Sequence, residues 1–210
     1  MAAGKTKTRR PKADDRSIDD KLIDAALDLA AGTPWHTVSL LAIAEHAGVP
    51  LGQALLSLPG RGHIQRALIA RIDTRVFGSL EDDPLDGSTR DKLFDILMRR
   101  FDALDDHRDA LRSMSRDARH DPLGTACIGL RLLKSMALSL QAAGVSPEGC
   151  SGALKAKALA AIHLNAFRVW LNDDDPGLAA TMAALDKGLA RAEKFATRRE
   201  PVEESIQNTA

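Results

Sequence analysis

The side chains able to do chemistry are few and scattered. There are six histidines, His36, His46, His63, His107, His120 and His163, and no two stand at the short helical spacing of a metal-binding pair. The two cysteines, Cys127 and Cys150, form neither a metal-type spacing nor a disulfide framework. Asp173-Asp174-Asp175 offers carboxylates to a cation, but it runs into Pro176 and reads better as a turn and helix cap. Gly4-Lys5-Thr6 ends like a phosphate-binding loop without the first glycine or the preceding strand, and Gly60-Arg61-Gly62 is half of a dinucleotide fingerprint. No Ser/His/Asp or Cys/His arrangement is legible from residue order. The expectation is a protein that binds rather than catalyses, with no cofactor and no metal. His163, beside Phe167 in an Ala-rich stretch, has two readings: a group facing a ligand cavity, or a satisfied, partly buried histidine.

Composition narrows what could be bound and how. With Lys plus Arg at 29 and Asp plus Glu at 29, no global field draws the chain to nucleic acid or to anionic lipid. Attraction must come from uneven placement of charge. Val, Ile and Thr never alternate in runs, so strands have little support and an all-α fold is expected. No apolar signal-peptide core opens the chain, and charges interrupt the apolar stretches before the roughly 20 residues of a membrane span. These features predict a cytoplasmic protein with no membrane span.

The elements that must position any site are well punctuated. Residues 1–16 read as a disordered basic arm, and 197–210 as a disordered tail. Ser17 can cap a helix carrying Ile18, Leu22, Ala25 and Leu29, and Ser39 can cap a short second one. Gly48 supplies a turn, Pro50 suits the first position of a third helix, and Pro59-Gly60 stops it. A fourth helix runs from about Gly62 to Phe77, and "GSLEDDPLDGS" separates a unit over 17–78 from one over 88–196. Ser88-Thr-Arg-Asp opens the second unit as a capping-box variant. Asp121-Pro122, Ser146-Pro147 and Asp175-Pro176 each set a capping oxygen before proline, giving four short helices followed by five longer ones.

"IAEHAGVPLGQALLSLPGRGHI", residues 43–64, outlines two short helices around an Ala-Gly-Val turn, the form of a DNA-reading helix-turn-helix. Together with "LIDAALDLAAGTPWHTVSL" before it and Leu58-Pro59-Gly60-Arg61 at its close, the stretch resembles the N-terminal domain of the TetR family of repressors. The resemblance covers roughly residues 17–196. It implies a helix-turn-helix DNA-binding domain followed by a larger helical ligand-binding and dimerisation domain. Carried over, Ser39 caps the second helix and touches phosphate, Gln53 and Ser57 face the groove, and Arg61 takes the place of a phosphate-binding lysine. The arm with Lys5, Lys7, Arg9 and Arg10 would reach a minor groove or the backbone. Departures stand at Leu55, where the family usually has a phosphate-binding tyrosine, and at Leu41, Pro50 and Leu51, where polar groups are common.

A second resemblance lies at the end of the chain. "RVWLNDDDPGLAATMAALDKGLA" is similar to the close of the TetR-fold lipid-binding proteins of ubiquinone biosynthesis, which keep the fold and do not read DNA. The expected function is a ligand-responsive regulator, a repressor binding a palindromic double-stranded operator as a homodimer. The lipid-binding protein is the alternative.

A pocket for a small apolar or amphipathic effector is expected among the helices of residues 90–172. Its lining would come from Met98, Phe101, Met114, Met136, His163 and Phe167. Leu178, Met182, Leu185 and Leu189 step by four, three and four, a narrow apolar seam. With Trp170 they are expected to form a homodimer interface, the other reading being that they close the monomer's own core.

Overall fold

Several helices begin where a side-chain oxygen takes an otherwise free backbone N–H. In the computed structural model, which describes residues 16–197, α1 (Ile18–Gly32) starts at Ser17, whose Oγ accepts from the Asp20 N–H at 3.1 Å. Ser39 does the same for α2 (Leu40–His46), accepting from Ala42 at 3.1 Å. α3 (Leu51–Ser57) has no such oxygen, because Pro50 stands at its N-cap rather than inside its first turn. Gly48 joins α2 to α3 at φ +64°, in the left-handed region where a Cβ is strained. α4 (Arg61–Gly78) is the long strut that completes the N-terminal unit.

Beyond the linker, α5 (Thr89–Asp102) opens on a complete capping box: Ser88 Oγ takes the Asp91 N–H, and the Asp91 carboxylate takes the Ser88 N–H at 3.0 Å. α6 (Arg108–Asp117), α7 (Pro122–Ala142), α8 (Gly149–Trp170) and α9 (Ala179–Thr197) follow. Short 3-10 turns lie at Trp35–Thr37, Asp105–His107 and Ala118–His120. The fold is all-α, with no strand among the described residues. The arm residues Lys5, Lys7, Arg9 and Arg10 lie outside the described residues, as does the tail from 198.

The three oxygen-plus-proline signals behave differently. Asp121 caps α7 directly, accepting from the Gly124 N–H at 2.8 Å. Ser146 accepts from the Glu148 N–H at 3.3 Å, and α8 starts only at Gly149. Asp175 accepts from the N–H groups of Gly177 and Ala179 at 3.2 Å each, with Leu178 at φ +50° between them, and α9 starts at Ala179. In both of these places the chain makes a turn before it enters the helix.

The core is continuous across the linker. Leu22, Ala26, Ile43, Ala54 and Ile64 close the N-terminal unit, and Ile96, Leu97, Met136 and Trp170 close the larger one. α1 also packs on α6 and α4 on α7, so buried apolar side chains join the two units in one cluster. α7 has the length and composition to cross a membrane despite Arg131 and Lys134, yet it lies against α4 and α8 and buries Leu132, Ser135, Met136 and Ser139.

The apolar seam of α9 turns inward. Leu185 is fully buried, Leu178 and Leu189 are buried with it, and the helix packs on α8 and α5. Trp170 is also fully buried, stacked on Phe101 and Phe167 with the Arg108 guanidinium 4.7 Å from its ring centre. These four therefore close the monomer's core, which corrects the expectation that they form a dimer surface. Of the seam, only Met182 is exposed. At Gly188, where a Cβ would stand 2.7 Å from the Ile162 side chain, α8 and α9 approach closely.

Candidate nucleic-acid interface and ligand cleft

α3 is held by one buried residue, Ala54, and turns the rest of its surface outward. Leu51, Gly52, Gln53 and Leu55 are exposed, and Leu56 is 90% exposed. Leu41 of α2 is exposed too, so α2 and α3 together expose four leucines as well as Gln53. The polar groups expected here are partly committed elsewhere. The Ser57 hydroxyl donates to the Asp19 carboxylate on α1. Arg61 donates from Nη1 to the Trp35 carbonyl at 2.8 Å, with its guanidinium 5.9 Å from the Trp35 ring centre. Ser39 is exposed and spends an acceptor position on its cap. Arg61 thus braces the turn after α1, where a phosphate contact was expected.

A cleft of about 360 Å³ lies between the N-terminal unit and the body. Trp35 and His36 form one rim, and Gln65, Leu68, Ile69 and Ile72 of α4 form a wall. Leu111 and Met114 of α6, Ile128 and Leu132 of α7, and His163, Leu164 and Phe167 of α8 line the other sides, with Asp117 and His120 also at the cleft. Met114, His163 and Phe167 therefore line the cleft. Met98, Phe101 and Met136 do not: Phe101 and Met136 are fully buried, and Met98 packs against the core. Phe101 lies behind the lining, its ring centre 5.3 Å from that of His163.

Sequence reasoning missed the charges at the inner end of this cleft. Asp73 of α4 is buried and binds Arg100 Nη1 of α5 at 2.5 Å and Arg131 Nη2 of α7 at 2.6 Å. Ser135 donates its hydroxyl to the same carboxylate. Burial pushes the Arg100 guanidinium down, and its bond to Asp73 opposes that shift. Burial, aided by Arg100, pushes His163 down to about 3, so its imidazole is neutral in ordinary buffers. One carboxylate against two guanidiniums leaves the cluster with one positive charge in excess. Arg100 Nε and His163 Nδ1 have no protein partner. Arg100 and His163 both line the cleft, so its wall is apolar and its inner end is cationic.

No known family profile matches the chain, and no curated protein does. Solved structures do. A TetR transcriptional regulator from Nitrosomonas europaea aligns at 24% identity over 84% of this chain and 98% of its own, with a TM-score of 0.68. A TetR regulator from Rhodococcus aligns at 18% identity over 82% and 93%, with a TM-score of 0.57. A TetR-like regulator, also from Rhodococcus, aligns at 22% identity over 89% and 99%, with a TM-score of 0.51. From the helix-turn-helix at one end to the helical body at the other, the chain has the fold of the TetR transcriptional regulators.

Proposed function

We propose that the chain is a ligand-responsive transcriptional regulator, a repressor that binds a palindromic operator as a homodimer in the cytoplasm. The observation that carries this reading is the place of the cleft. Its wall is α4, the strut of the reading head, and its other sides are α6, α7 and α8 of the body. A ligand filling it touches head and body at once, so its affinity differs between arrangements of the two, and operator affinity must differ reciprocally. The effector would be amphipathic: an apolar body along Ile69, Leu111 and Phe167, and an acidic end toward Arg100 and His163.

DNA contact would rest on Gln53 and Ser39 with the arm residues Lys5, Lys7, Arg9 and Arg10. Self-association would use the outer face of α8 and α9, where Leu154, Ala158, Ala161, Met182 and Ala183 are exposed. Selection of random duplex DNA by the full chain at low salt tests the reading. It should yield a two-fold symmetric site, and Gln53→Ala should weaken preference at one base pair per half-site by about 1–3 kcal/mol. Decanoate should release that DNA at concentrations where decanol does not.

The exposed leucines favour a second reading, a TetR-fold lipid-binding protein that does not bind DNA. Apolar side chains exposed at this density suit a lipid or protein surface better than phosphates. Absence of any selected site, with an isoprenoid lipid retained in native mass spectra, would replace the regulator by the carrier.

A further inference from the structure

Three metal-ligand side chains meet at the mouth of the cleft, one of them from a distant part of the chain. His36 lies in the turn after α1, Asp117 ends α6, and His120 ends the turn that follows α6. One oxygen of the Asp117 carboxylate stands 2.9 Å from His36 Nδ1, and the other stands 3.7 Å from His120 Nδ1. The two imidazole centres are 5.0 Å apart, and all three ligand atoms lie within 4.8 Å of one another. Zinc bonds to nitrogen and oxygen are about 2.0–2.2 Å long, which sets two ligands of a tetrahedral ion about 3.3 Å apart. Small rotations of two half-exposed imidazoles bring the set to that spacing. We infer that His36, Asp117 and His120 form a binding site for a divalent transition-metal ion of the zinc class, open to the cleft at its remaining position.

The donor set selects the ion. Two imidazoles and one carboxylate suit zinc, cobalt and nickel, whereas magnesium and calcium take sites built from oxygen. The site is also braced before any ion arrives. Asp117 accepts the His36 backbone N–H at 2.7 Å, the Trp35 N–H donates to Ser113 Oγ at 3.1 Å, and Ser113 donates to the Thr33 carbonyl at 3.1 Å. Such outer bonds orient ligands and raise metal affinity. A hydrogen bond between His36 and Asp117 accounts for that pair alone. It leaves unexplained a second imidazole turned to the other oxygen of the same carboxylate. Because His36 belongs to the N-terminal unit and the other two ligands to the body, a bound ion would hold the two together at the cleft rim.

The test uses the full chain, stripped of metal by chelation and titrated with cobalt(II) and zinc(II), with no DNA present; its outcome is therefore independent of the regulator reading. The expected result is one ion per chain, visible as cobalt d–d absorption that zinc displaces. Zinc at a hundred times its dissociation constant should raise Tm by about 5–10 °C. His36→Ala and His120→Ala, both at exposed positions, should each weaken cobalt binding at least tenfold, while the metal-free melt falls by no more than about 4 °C, the loss of one exposed pair. His63→Ala, outside the group, should leave affinity as it is. Failure to take up an ion, or uptake indifferent to His36 and His120, overturns the inference.

Discussion

The outer face of α3 and the buried junction behind α4 depart from ordinary burial in opposite directions. On α3, Leu51, Leu55 and Leu56 face water, and the nearby polar groups of Ser57 and Arg61 are bonded within the chain. At the junction, Asp73, Arg100 and Ser135 are buried among apolar helices. Each arrangement costs stability relative to the reverse, leucine inside and charge outside. The junction recovers its cost by tying three helices through one carboxylate, so it acts as a structural clamp that also leaves a cationic end in the cleft. The α3 face recovers nothing within the monomer. A clamp is a monomer's device; an uncovered apolar face belongs to a contact made with something else.

The largest expected effect is at the clamp. Asp73→Ala leaves the buried Arg100 guanidinium and the partly buried Arg131 without their carboxylate and should cost about 3–5 kcal/mol, read as a loss of urea midpoint. His163, at the same end of the cleft, sharpens the comparison through pH. Its folded pKa of about 3 lies below the usual 6.5, so the unfolded chain takes up the proton first as pH falls. Stability from this group is complete above pH 6.5 and declines below it, by up to about 1.4 kcal/mol per pH unit. His163→Phe, which keeps a ring beside Phe101, should flatten that slope between about pH 6 and 4 in urea titrations. Ser39→Ala removes the cap of α2 and should cost about 1 kcal/mol in the same melts, because the Ala42 N–H loses its acceptor.

What could be read in advance follows from how local each cause is. Ser17, Ser39 and Ser88 act on backbone groups three residues away, and the turn at Gly48 needs only its own φ, so helix order was legible. The stripe on α9 was legible as a stripe. Spacing shows that Leu178, Leu185 and Leu189 are covered, but whether α8 or a second copy covers them depends on helices elsewhere. Asp73 meets Arg100 and Arg131 across 27 and 58 residues, and His36 meets Asp117 across 81, separations at which no local pattern marks a pair. Phe101 and Met136 carry the right chemistry for a cleft wall but sit one layer behind it, a matter of helix rotation that residue type does not report.

The regulator reading requires that the outer face of α3, with Gln53 among its exposed leucines, lies against DNA. Leu56→Arg tests it most directly, because Leu56 is 90% exposed and its replacement should leave stability within about 0.5 kcal/mol. The measurement is the affinity of the full chain for its selected duplex as salt is varied. If α3 lies in the groove, the added cation reaches phosphate, tightens binding at low salt and steepens the slope of log K against log salt by about 0.9. An unchanged slope, or a wild-type chain with no duplex preference at any salt, would contradict the claim.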